Sequence, residues 1–248
     1  MRNTSVIIPL IPQHDSQLDR LFKEISHDDP VLREVIICRS ESNPRDHQRL
    51  LRKFTKKARN NGLQAEVILS LVPQSAPDGV NRNRGWKIAK GDFIAFIDAD
   101  DSYAAFRISA CVNSLEKEGA DLILHNYGMD NVNEGANLNP DSTLEVIQIF
   151  YDTKLSTSNT QEPIKDQRGF AVQIHHAHIT IRNTETMRKI HFTSRFPGAD
   201  SEFCKNVVAS GQRSIYSALL LSKWNRDRSI RYRIRLIKKK IGSALTSK

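Results

Sequence analysis

A run of apolar residues that ends in carboxylates constrains this chain more than any other feature. Residues 93–97 read Phe-Ile-Ala-Phe-Ile, and Asp98, Asp100 and Asp101 follow directly. A short apolar run of this kind is typical of a strand that is buried on both faces of a parallel sheet. Because ligands gather at the carboxyl ends of such strands, we expect the acids at an edge where a site can form.

The chain around this strand alternates between apolar and amphipathic segments, which predicts an α/β domain with a largely parallel sheet. The predicted strands span 5–9, 33–38, 65–70, 93–97 and 121–125, and the predicted helices span 15–26, 46–60, 78–90 and 103–118. The pattern weakens over 128–169, where Asn, Asp, Ser, Thr and Pro are frequent. Binding specificity often resides in such loops on a rigid scaffold.

The acidic residues admit two interpretations. If residues 98–101 remain extended, Asp98 and Asp100 point to the same side. Such paired oxygen ligands suit Mg²⁺ or Mn²⁺, especially where substrate phosphates complete the coordination shell. The alternative is a solvated acidic turn that caps the next helix.

The helix predicted before this strand carries positive charge. Pro77 and Asp78 suit a helix start, and Gly91 suits a left-handed C-terminal cap. Arg82 lies within the first two turns, close to where a phosphate would meet the sheet edge. A solvated surface arginine is the alternative role for this residue.

The ordered series of arginine-bearing helix, Gly-Asp turn, apolar strand and acidic triplet resembles the nucleotide-sugar half of family 2 glycosyltransferases with the GT-A fold. That family has an Arg-Asn-x-Gly helix, then Ala-x-Gly, an apolar strand and Asp-x-Asp. Here the same places are occupied by Arg82-Asn83-Arg84-Gly85, Ala89-Lys90-Gly91 and Asp98-Ala99-Asp100-Asp101.

The resemblance implies a nucleotide-sugar site and a metal. Arg82, Asp98, Ala99 and Asp100 would contact the nucleotide sugar, with a UDP-sugar favoured and a GDP-sugar or another donor also compatible. Mn²⁺ or Mg²⁺ would be held by Asp100, with Asp98 and Asp101 nearby. The ion would neutralise the charge of the leaving nucleoside diphosphate.

The second predicted strand departs from the family pattern. Pro9 ends a first strand that resembles the one beside the family's uracil pocket. Arg39-Ser40-Glu41-Ser42 then stands where the family usually has Asp-Asp-Gly-Ser, whose carboxylate holds the uracil. Glu41 is the candidate replacement for that acid. Arg39 would alter the charge of the pocket and favour a different or more anionic donor.

The later half contains a candidate base. Residues 196–204 are similar to the family's Glu-Asp-x-x-Phe segment, with Asp200 at the position of the base and Ala199 in place of the glutamate. The resemblance implies that Asp200 accepts the acceptor's proton in a single, inverting displacement. Glu202 is the second candidate, and a simple helix cap is the alternative role for Asp200.

Three histidines, at 175, 176 and 178, form a cluster. No cysteine or carboxylate lies near them at a known zinc spacing, so the sequence favours a strand with His176 and His178 on one face. One of them could still touch the acceptor or the diphosphate. The family often completes its metal site with a late histidine, but residues 224–229 contain none. Asp227 or water would have to replace it.

The positive charge is concentrated at the end of the chain. The protein has 37 basic and 28 acidic residues, and residues 223–248 contain ten of the former and one of the latter. Isoleucines at 230, 234, 237 and 241 form a helical stripe. This pattern predicts that residues 226–241 lie on an anionic membrane surface. Docking of the stripe on the protein's own core is the alternative. Nucleic acid is not predicted, because Tyr232 alone is available for stacking.

These observations predict one α/β unit of GT-A type. Residues 1–127 form the nucleotide-sugar half, 128–222 the acceptor and base half, and 223–248 a basic tail. The widely spaced Cys38, Cys111 and Cys204 are expected to be buried free thiols. Together with the lack of a signal-peptide stretch or bilayer-length apolar run, they predict a cytoplasmic protein, peripheral on the membrane.

The function that the resemblance implies is inverting, metal-dependent sugar transfer to a cell-envelope or exported glycan, including a lipid-linked one. Two alternatives remain. A catalytically silent glycan- or membrane-binding relative would explain the altered Arg39–Ser42 segment. A nucleotidyltransferase would also use paired acids on an α/β sheet, but it leaves Asp200 without a role.

Overall fold

The computed structural model describes residues 3–128, 137–151, 164–170, 172, 178–194 and 198–223. The strands are β1 Thr4–Leu10, β2 Leu32–Arg39, β3 Glu66–Leu71, β4 Phe93–Phe96, β5 Ser102–Tyr103, β6 Leu122–Gly128, β7 Ile147–Tyr151, β8 Ile164–Asp166, β9 Thr180–Arg182 and β10 Ser214–Lys223. The α-helices are α1 Leu18–Ile25, α2 His47–Asn60, α3 Asp78–Ile88, α4 Arg107–Glu118 and α5 Ala199–Ala209. Short 3₁₀ turns at Pro12–His14 and Pro44–Asp46 follow β1 and β2.

The strands form one mixed sheet in the order β3-β2-β1-β4-β9-β6-β10-β7-β8, with β5 paired to β10. The first four strands in this order are mutually parallel, as the alternating pattern predicts. The three-residue strand β9 is inserted antiparallel between β4 and β6. This insertion brings the residue just before β9 next to the end of β4.

Apolar side chains cover both faces of the sheet. Phe22 of α1, Phe54 of α2 and Leu115 of α4 belong to one buried cluster. Trp86 of α3 and Phe203 of α5 belong to the cluster on the other face. The three cysteines are buried and free, as predicted. In the described part of the chain, no helix has both the length and the apolar character that crossing a bilayer requires.

All four predicted helices are shorter than the sequence pattern suggests: α1 spans Leu18–Ile25 instead of 15–26, and α2 spans His47–Asn60 instead of 46–60. The helix predicted over 78–90 ends at Ile88, and Gly91 is not in the left-handed region, so the prediction of a left-handed cap is wrong. A Cβ on Gly91 would instead lie 2.5 Å from the backbone nitrogen of Ser5. The helix predicted over 103–118 begins at Arg107, because Ser102 and Tyr103 pair with β10.

Several predicted features fall outside the described residues. These are the histidines at 175 and 176, the segment 224–229 with Asp227, and the basic membrane-binding stretch 226–241.

Candidate active site

The acids after β4 form a turn. β4 ends at Phe96, and the backbone N–H of Asp101 donates to the carbonyl of Asp98 at 3.4 Å. The condition under which Asp98 and Asp100 would point to the same side, an extended strand over residues 98–101, is therefore not met. A turn separates the carboxylates: Asp101 is buried, whereas Asp98 and Asp100 are half-buried.

Tyr103 holds the first residue of this turn. Its hydroxyl accepts from the backbone N–H of Asp98 at 2.7 Å and donates to the carbonyl of Asp98 at 3.0 Å. The backbone N–H of Tyr103 donates to Oε2 of Glu24 at 3.1 Å. Helix α1, which carries Glu24, thus holds Tyr103, just after the turn, in place.

Arg20, also on α1, holds the middle of the turn. Its Nη2 donates to the carbonyl of Asp101 at 3.0 Å and to that of Ala99 at 3.4 Å. These bonds satisfy carbonyls that a turn leaves without strand partners. They also place the positive charge of Arg20 next to the backbone of the acidic turn.

A buried histidine completes a group of possible metal ligands. Nε2 of His178 lies 2.9 Å from Oδ2 of Asp101 and 3.9 Å from Oδ2 of Asp98. One ligand atom from each of these three residues lies within 4.8 Å of the other two. Burial lowers the pKa of His178 to about 3, so its imidazole is neutral and able to ligate a metal. The set of two carboxylates and one imidazole fits a divalent transition-metal ion.

The orientation of His178 is fixed by two further contacts. Its Nδ1 lies 2.7 Å from Oγ of Ser222 on β10. Its ring meets that of Tyr103 edge-on, with the centroids 5.0 Å apart. Outer contacts of this kind set the direction in which a ligating ring nitrogen points.

Asp100 lies outside that ligand group. Burial, followed by the nearby charges of Asp98 and Asp101, raises the pKa of Asp100 to about 6. Its Oδ2 lies 3.9 Å from Nε2 of His14, in the 3₁₀ turn that follows β1. The charges of Asp98 and Asp100 also act on Asp78, the first residue of α3. The turn therefore concentrates negative charge that a cation would stabilise.

Arg82 connects the turn to the rest of the site. The side chain is only 4% exposed, and its Nη2 donates to Oδ1 of Asp98 at 2.5 Å. Its guanidinium carbon lies 5.5 Å from the ring centroid of Phe192. The charge of Asp200 also acts on this guanidinium. Arg82 is thus an interior cation of the site, and the alternative of a solvated surface arginine does not hold.

Asp200 lies at the start of α5, as the sequence predicts. Gly198, with φ of 107°, precedes the helix, and the helix start packs closely on α3. A Cβ on Gly79 would lie 3.3 Å from Cβ of Ala199. Burial raises the pKa of Asp200, the charge of Arg82 lowers it, and the charge of Asp98 raises it further. Asp98 and Asp200 therefore belong to one electrostatic group.

Glu202, the second candidate for the base, has a structural partner. Its Oε2 accepts a hydrogen bond from Oγ1 of Thr193 at 2.9 Å. The carboxylate is engaged with the segment that precedes α5. Asp200, by contrast, interacts electrostatically with Arg82, the residue that bonds to Asp98 of the turn.

The predicted base-binding residues lie along the neighbouring strands. Pro9 is buried in β1, opposite Cys38 of β2. Glu41 is exposed at the end of β2, two strands from β4 in the sheet. Its φ of 54° is left-handed, at the position where the family pattern has glycine.

Arg39 does not place a free charge in this region. Its Nε donates to Oδ1 of Asp15 at 2.9 Å, and its Nη1 donates to Oγ of Ser42. The residue is 8% exposed. The expectation that Arg39 changes the charge of the base pocket is therefore wrong, because Asp15 neutralises it.

Sequence reasoning missed the residues that support the turn. Arg20 and Glu24 stand four positions apart on α1, a spacing that puts them on one helix face, but no local pattern links them to residues 79 or more positions later. His178 was visible only as a member of a histidine cluster. The antiparallel insertion of β9 is what joins it to Asp98 and Asp101.

A model of the family described as glycosyl transferase family 2 matches residues 5–184, which include the arginine-bearing helix, the acidic turn and His178. The chain belongs to that family. The match runs from β1 to just past β9 and stops before α5. The family membership predicted from the motifs is thus confirmed.

Solved structures support the GT-A fold of this family 2 chain. S. aureus TarS has a TM-score of 0.59 at 17% identity, covering 96% of this chain and 39% of TarS. Residues 1–349 of TarS in complex with UDP-GlcNAc give 0.60 at 16% identity, covering 92% and 59%. Glucosyl-3-phosphoglycerate synthase from Mycobacterium tuberculosis, in complex with Mn²⁺, UDP and phosphoglyceric acid, gives 0.58 at 16% identity, covering 99% and 78%.

A curated relative matches 120 residues of this chain. It is a poly(ribitol-phosphate) beta-glucosyltransferase from Bacillus spizizenii, 26% identical over 120 residues. The match covers 48% of this chain and 18% of the relative. This family 2 chain thus spans about a fifth of that relative and two fifths of full-length TarS.

Proposed function

We propose that this protein is an inverting, metal-dependent glycosyltransferase that moves a sugar from a nucleoside-diphosphate donor to a hydroxyl of a cell-envelope or exported glycan. The observation that carries the proposal is the position of Arg82. One buried guanidinium bonds to Asp98 of the acidic turn and acts on the carboxylate of Asp200. This position supports a site in which Arg82 would lie between the donor and the acceptor.

The metal would be held by the turn and by His178, two residues before β9. Asp98, Asp101 and His178 offer three ligand atoms, and Asp100 is the further acid on the open side of the turn. Carboxylate oxygen alone suits Mg²⁺, whereas an added imidazole nitrogen favours Mn²⁺. When bound, the ion would supply positive charge to the diphosphate leaving group.

The transfer would be a single displacement. Asp200, in its ionised form, accepts the proton of the acceptor hydroxyl as that oxygen attacks the anomeric carbon. The new carbon–oxygen bond forms on the face opposite the bond to the diphosphate. That bond breaks, and the diphosphate leaves with its electron pair. The anomeric centre is therefore inverted. Arg82, which donates a hydrogen bond to Asp98, would stabilise negative charge on the donor.

A UDP-sugar is the favoured donor. TarS and the mycobacterial synthase have been solved with UDP-GlcNAc and with UDP and Mn²⁺. Ala99 and the acidic turn would contact the sugar-phosphate part, and Pro9 and Glu41 the nucleoside. The acceptor class rests on the curated relative, whose name specifies a poly(ribitol-phosphate) chain. Attachment of residues 226–241 to an anionic membrane would bring a cytoplasmic enzyme to a lipid-linked acceptor.

A thermal-shift screen tests the donor and metal together. The purified protein is heated with UDP, GDP, CDP or ADP, each with and without Mn²⁺ or Mg²⁺. We expect UDP with Mn²⁺ to give the largest stabilisation. Hydrolysis or transfer of the matching nucleotide sugar is then measured. Donor binding without any turnover would instead support the catalytically silent relative, and the absence of binding by any nucleoside diphosphate would contradict the proposal.

A further inference from the structure

Helix α2 carries an unusual density of positive charge. Residues 45–60 contain seven lysines and arginines, and Asp46 is their sole acidic residue. Leu50, Phe54 and Ala58, spaced four apart, form a narrow buried stripe. That stripe fixes which way the helix faces, so the charged side chains are confined to the rest of its circumference.

The basic residues of α2 form two groups. Lys53 and Lys57 face α1 and the residues just before it: Lys53 lies 3.1 Å from Oδ2 of Asp15, and Lys57 pairs with Asp19. Lys57 thus has an acidic partner of its own in α1, whereas Lys53 shares Asp15 with Arg39. The outer group lies beyond the reach of these two acids.

The outer group forms a line that we call the basic ridge. Four members lie on α2 at intervals of three, four and three residues, so they occupy one side of the helix, and the fifth lies in the 3₁₀ turn that precedes it. They are Arg45, Arg49, Arg52, Lys56 and Arg59, and all five are exposed. From Arg49 to Arg59 the ridge extends about 15 Å along the axis.

Few counter-charges accompany this ridge. Arg49 lies 3.0 Å from the exposed Asp46, and Nη1 of Arg59 donates to the carbonyls of Leu63 and Ala65. Within the ranges that the structure describes, Arg45, Arg52 and Lys56 form no ion pair. Leaving several like charges adjacent and unpaired is unfavourable for an isolated helix, so the ridge is better suited to contact with an anionic partner.

We propose that the basic ridge of α2 is a docking surface for the anionic headgroups of a membrane. The ridge is the convex outer side of a helix and includes no aromatic residue, whereas single-stranded nucleic acids are bound by grooves with stacking side chains. A row of cations on the outer side of a helix can contact a flat, negatively charged surface. Attraction to such a surface is worth roughly fivefold in affinity for each Lys or Arg close to it.

The location of the ridge suits an enzyme that works at a membrane. Arg45 lies in the turn after β2, at the carboxyl edge of the sheet, and the acidic turn follows β4 at the same edge. Contact at the Arg45 end of the ridge would therefore keep this edge of the sheet near the headgroups, while the other end of the ridge, at Arg59, lies beside the residues that lead into β3. This surface is separate from residues 226–241, and it does not depend on the sugar-transfer proposal.

The test is vesicle binding by the full chain. A triple variant, R49Q/R52Q/K56Q, removes three charges from the ridge. A matched triple variant, K87Q/K117Q/K189Q, removes three charges from exposed positions elsewhere. Co-sedimentation is measured with vesicles of phosphatidylcholine containing three tenths phosphatidylglycerol, and with phosphatidylcholine alone, at 0.15 M salt. Soluble inorganic polyphosphate serves as an anionic polymer.

We expect the ridge variant to bind the anionic vesicles roughly 100-fold more weakly than the unmodified protein, and the matched variant to lose far less. Equal weakening in both variants would overturn the proposal, because it would reflect net charge alone. If the ridge variant kept its binding to anionic vesicles but lost its binding to polyphosphate, the proposal would also be wrong, and the ridge would be assigned to an anionic polymer. Metal-dependent donor hydrolysis in solution reports separately on the proposed enzymatic function.

Discussion

Nη2 of Arg82 donates to Oδ1 of Asp98 across 2.5 Å, and the positive charge of the same side chain lowers the pKa of Asp200. A single buried arginine thus connects the acidic turn after β4 with the start of α5. A change at Arg82 should therefore affect both the donor side and the base.

The first prediction concerns the pH dependence of transfer. Asp200, the proposed base, can accept a proton only when ionised, and burial raises its pKa while the charge of Arg82 lowers it. Arg82→Gln removes the opposing charge, so the pKa of Asp200 should rise further. The acid limb of log kcat/KM against pH should move to higher pH, and activity should fall at neutral pH.

The matched control for that variant is Arg84→Gln, on the same helix. Nη2 of Arg84 donates to the carbonyl of Ser70 on β3. This variant should keep the acid limb where the unmodified protein has it. An acid limb that does not move in Arg82→Gln would mean that Asp200 is not the group whose ionisation limits the rate.

The second prediction separates catalysis from binding. Asp200→Asn keeps the shape of the side chain but removes its ability to accept a proton. We expect transfer to fall by roughly 10²–10⁴-fold, while Mn²⁺ and nucleoside-diphosphate binding remain close to normal by calorimetry. Glu202→Gln, two residues along, should retain most activity, since the carboxylate of Glu202 accepts from Thr193. Loss of transfer in Glu202→Gln alone would reverse the assignment.

The parts of the site that the sequence predicted share one property: each lies in a short contiguous motif. The acids follow a strand, Arg82 precedes it on a helix, and Asp200 begins another helix. Parallel strands bring their carboxyl ends to one edge, so these motifs converge once the sheet order is right.

The parts that sequence reasoning missed depend on distant partners. Arg39 has the charge expected from its position, but Asp15, 24 residues earlier, pairs with it. The turn at 98–101 is held by Arg20 and Tyr103, and the segment that leads into the antiparallel β9 supplies His178. Since side-chain pairing across the sheet is not encoded in local periodicity, neither the neutralised arginine nor the histidine could be derived from the chain alone.

The third prediction concerns the metal. If His178 ligates the ion, His178→Ala should lower the affinity for Mn²⁺, because it removes a neutral imidazole that faces Asp98 and Asp101. Titration of Mn²⁺ followed by electron paramagnetic resonance measures the free ion directly. His191→Ala, at an exposed position, is the control. An unchanged Mn²⁺ affinity in a folded His178→Ala protein would exclude this residue as a ligand.

The fourth prediction concerns the support of the acidic turn by α1. Arg20→Gln removes the hydrogen bonds to the carbonyls of Ala99 and Asp101. Loss of an outer contact of this type typically costs about 10–100-fold in metal affinity or activity, and we expect the lower end of that range. Lys23→Gln, exposed on the same helix, should have no effect. A drop in melting temperature without any change in Mn²⁺ affinity would reduce Arg20 to a purely structural role.

The fifth prediction tests why Gly91 is needed between α3 and β4. A Cβ at this position would lie 2.5 Å from the nitrogen of Ser5 and 2.7 Å from the carbonyl oxygen of Asn3. Both are backbone atoms of the segment that begins β1, so they cannot rotate away as a side chain would. Gly91→Ala should lower the free energy of unfolding by roughly 1–3 kcal/mol, the usual cost of overpacking.

Denaturant unfolding measures this change, and Lys90→Ala is the control, since that side chain is exposed. Gly91→Asn distinguishes the two reasons for glycine. Asn tolerates the left-handed region better than Ala does, so a left-handed cap would make the Asn variant the more stable of the two. Close approach to β1 predicts the opposite order, because the larger side chain meets the same backbone atoms.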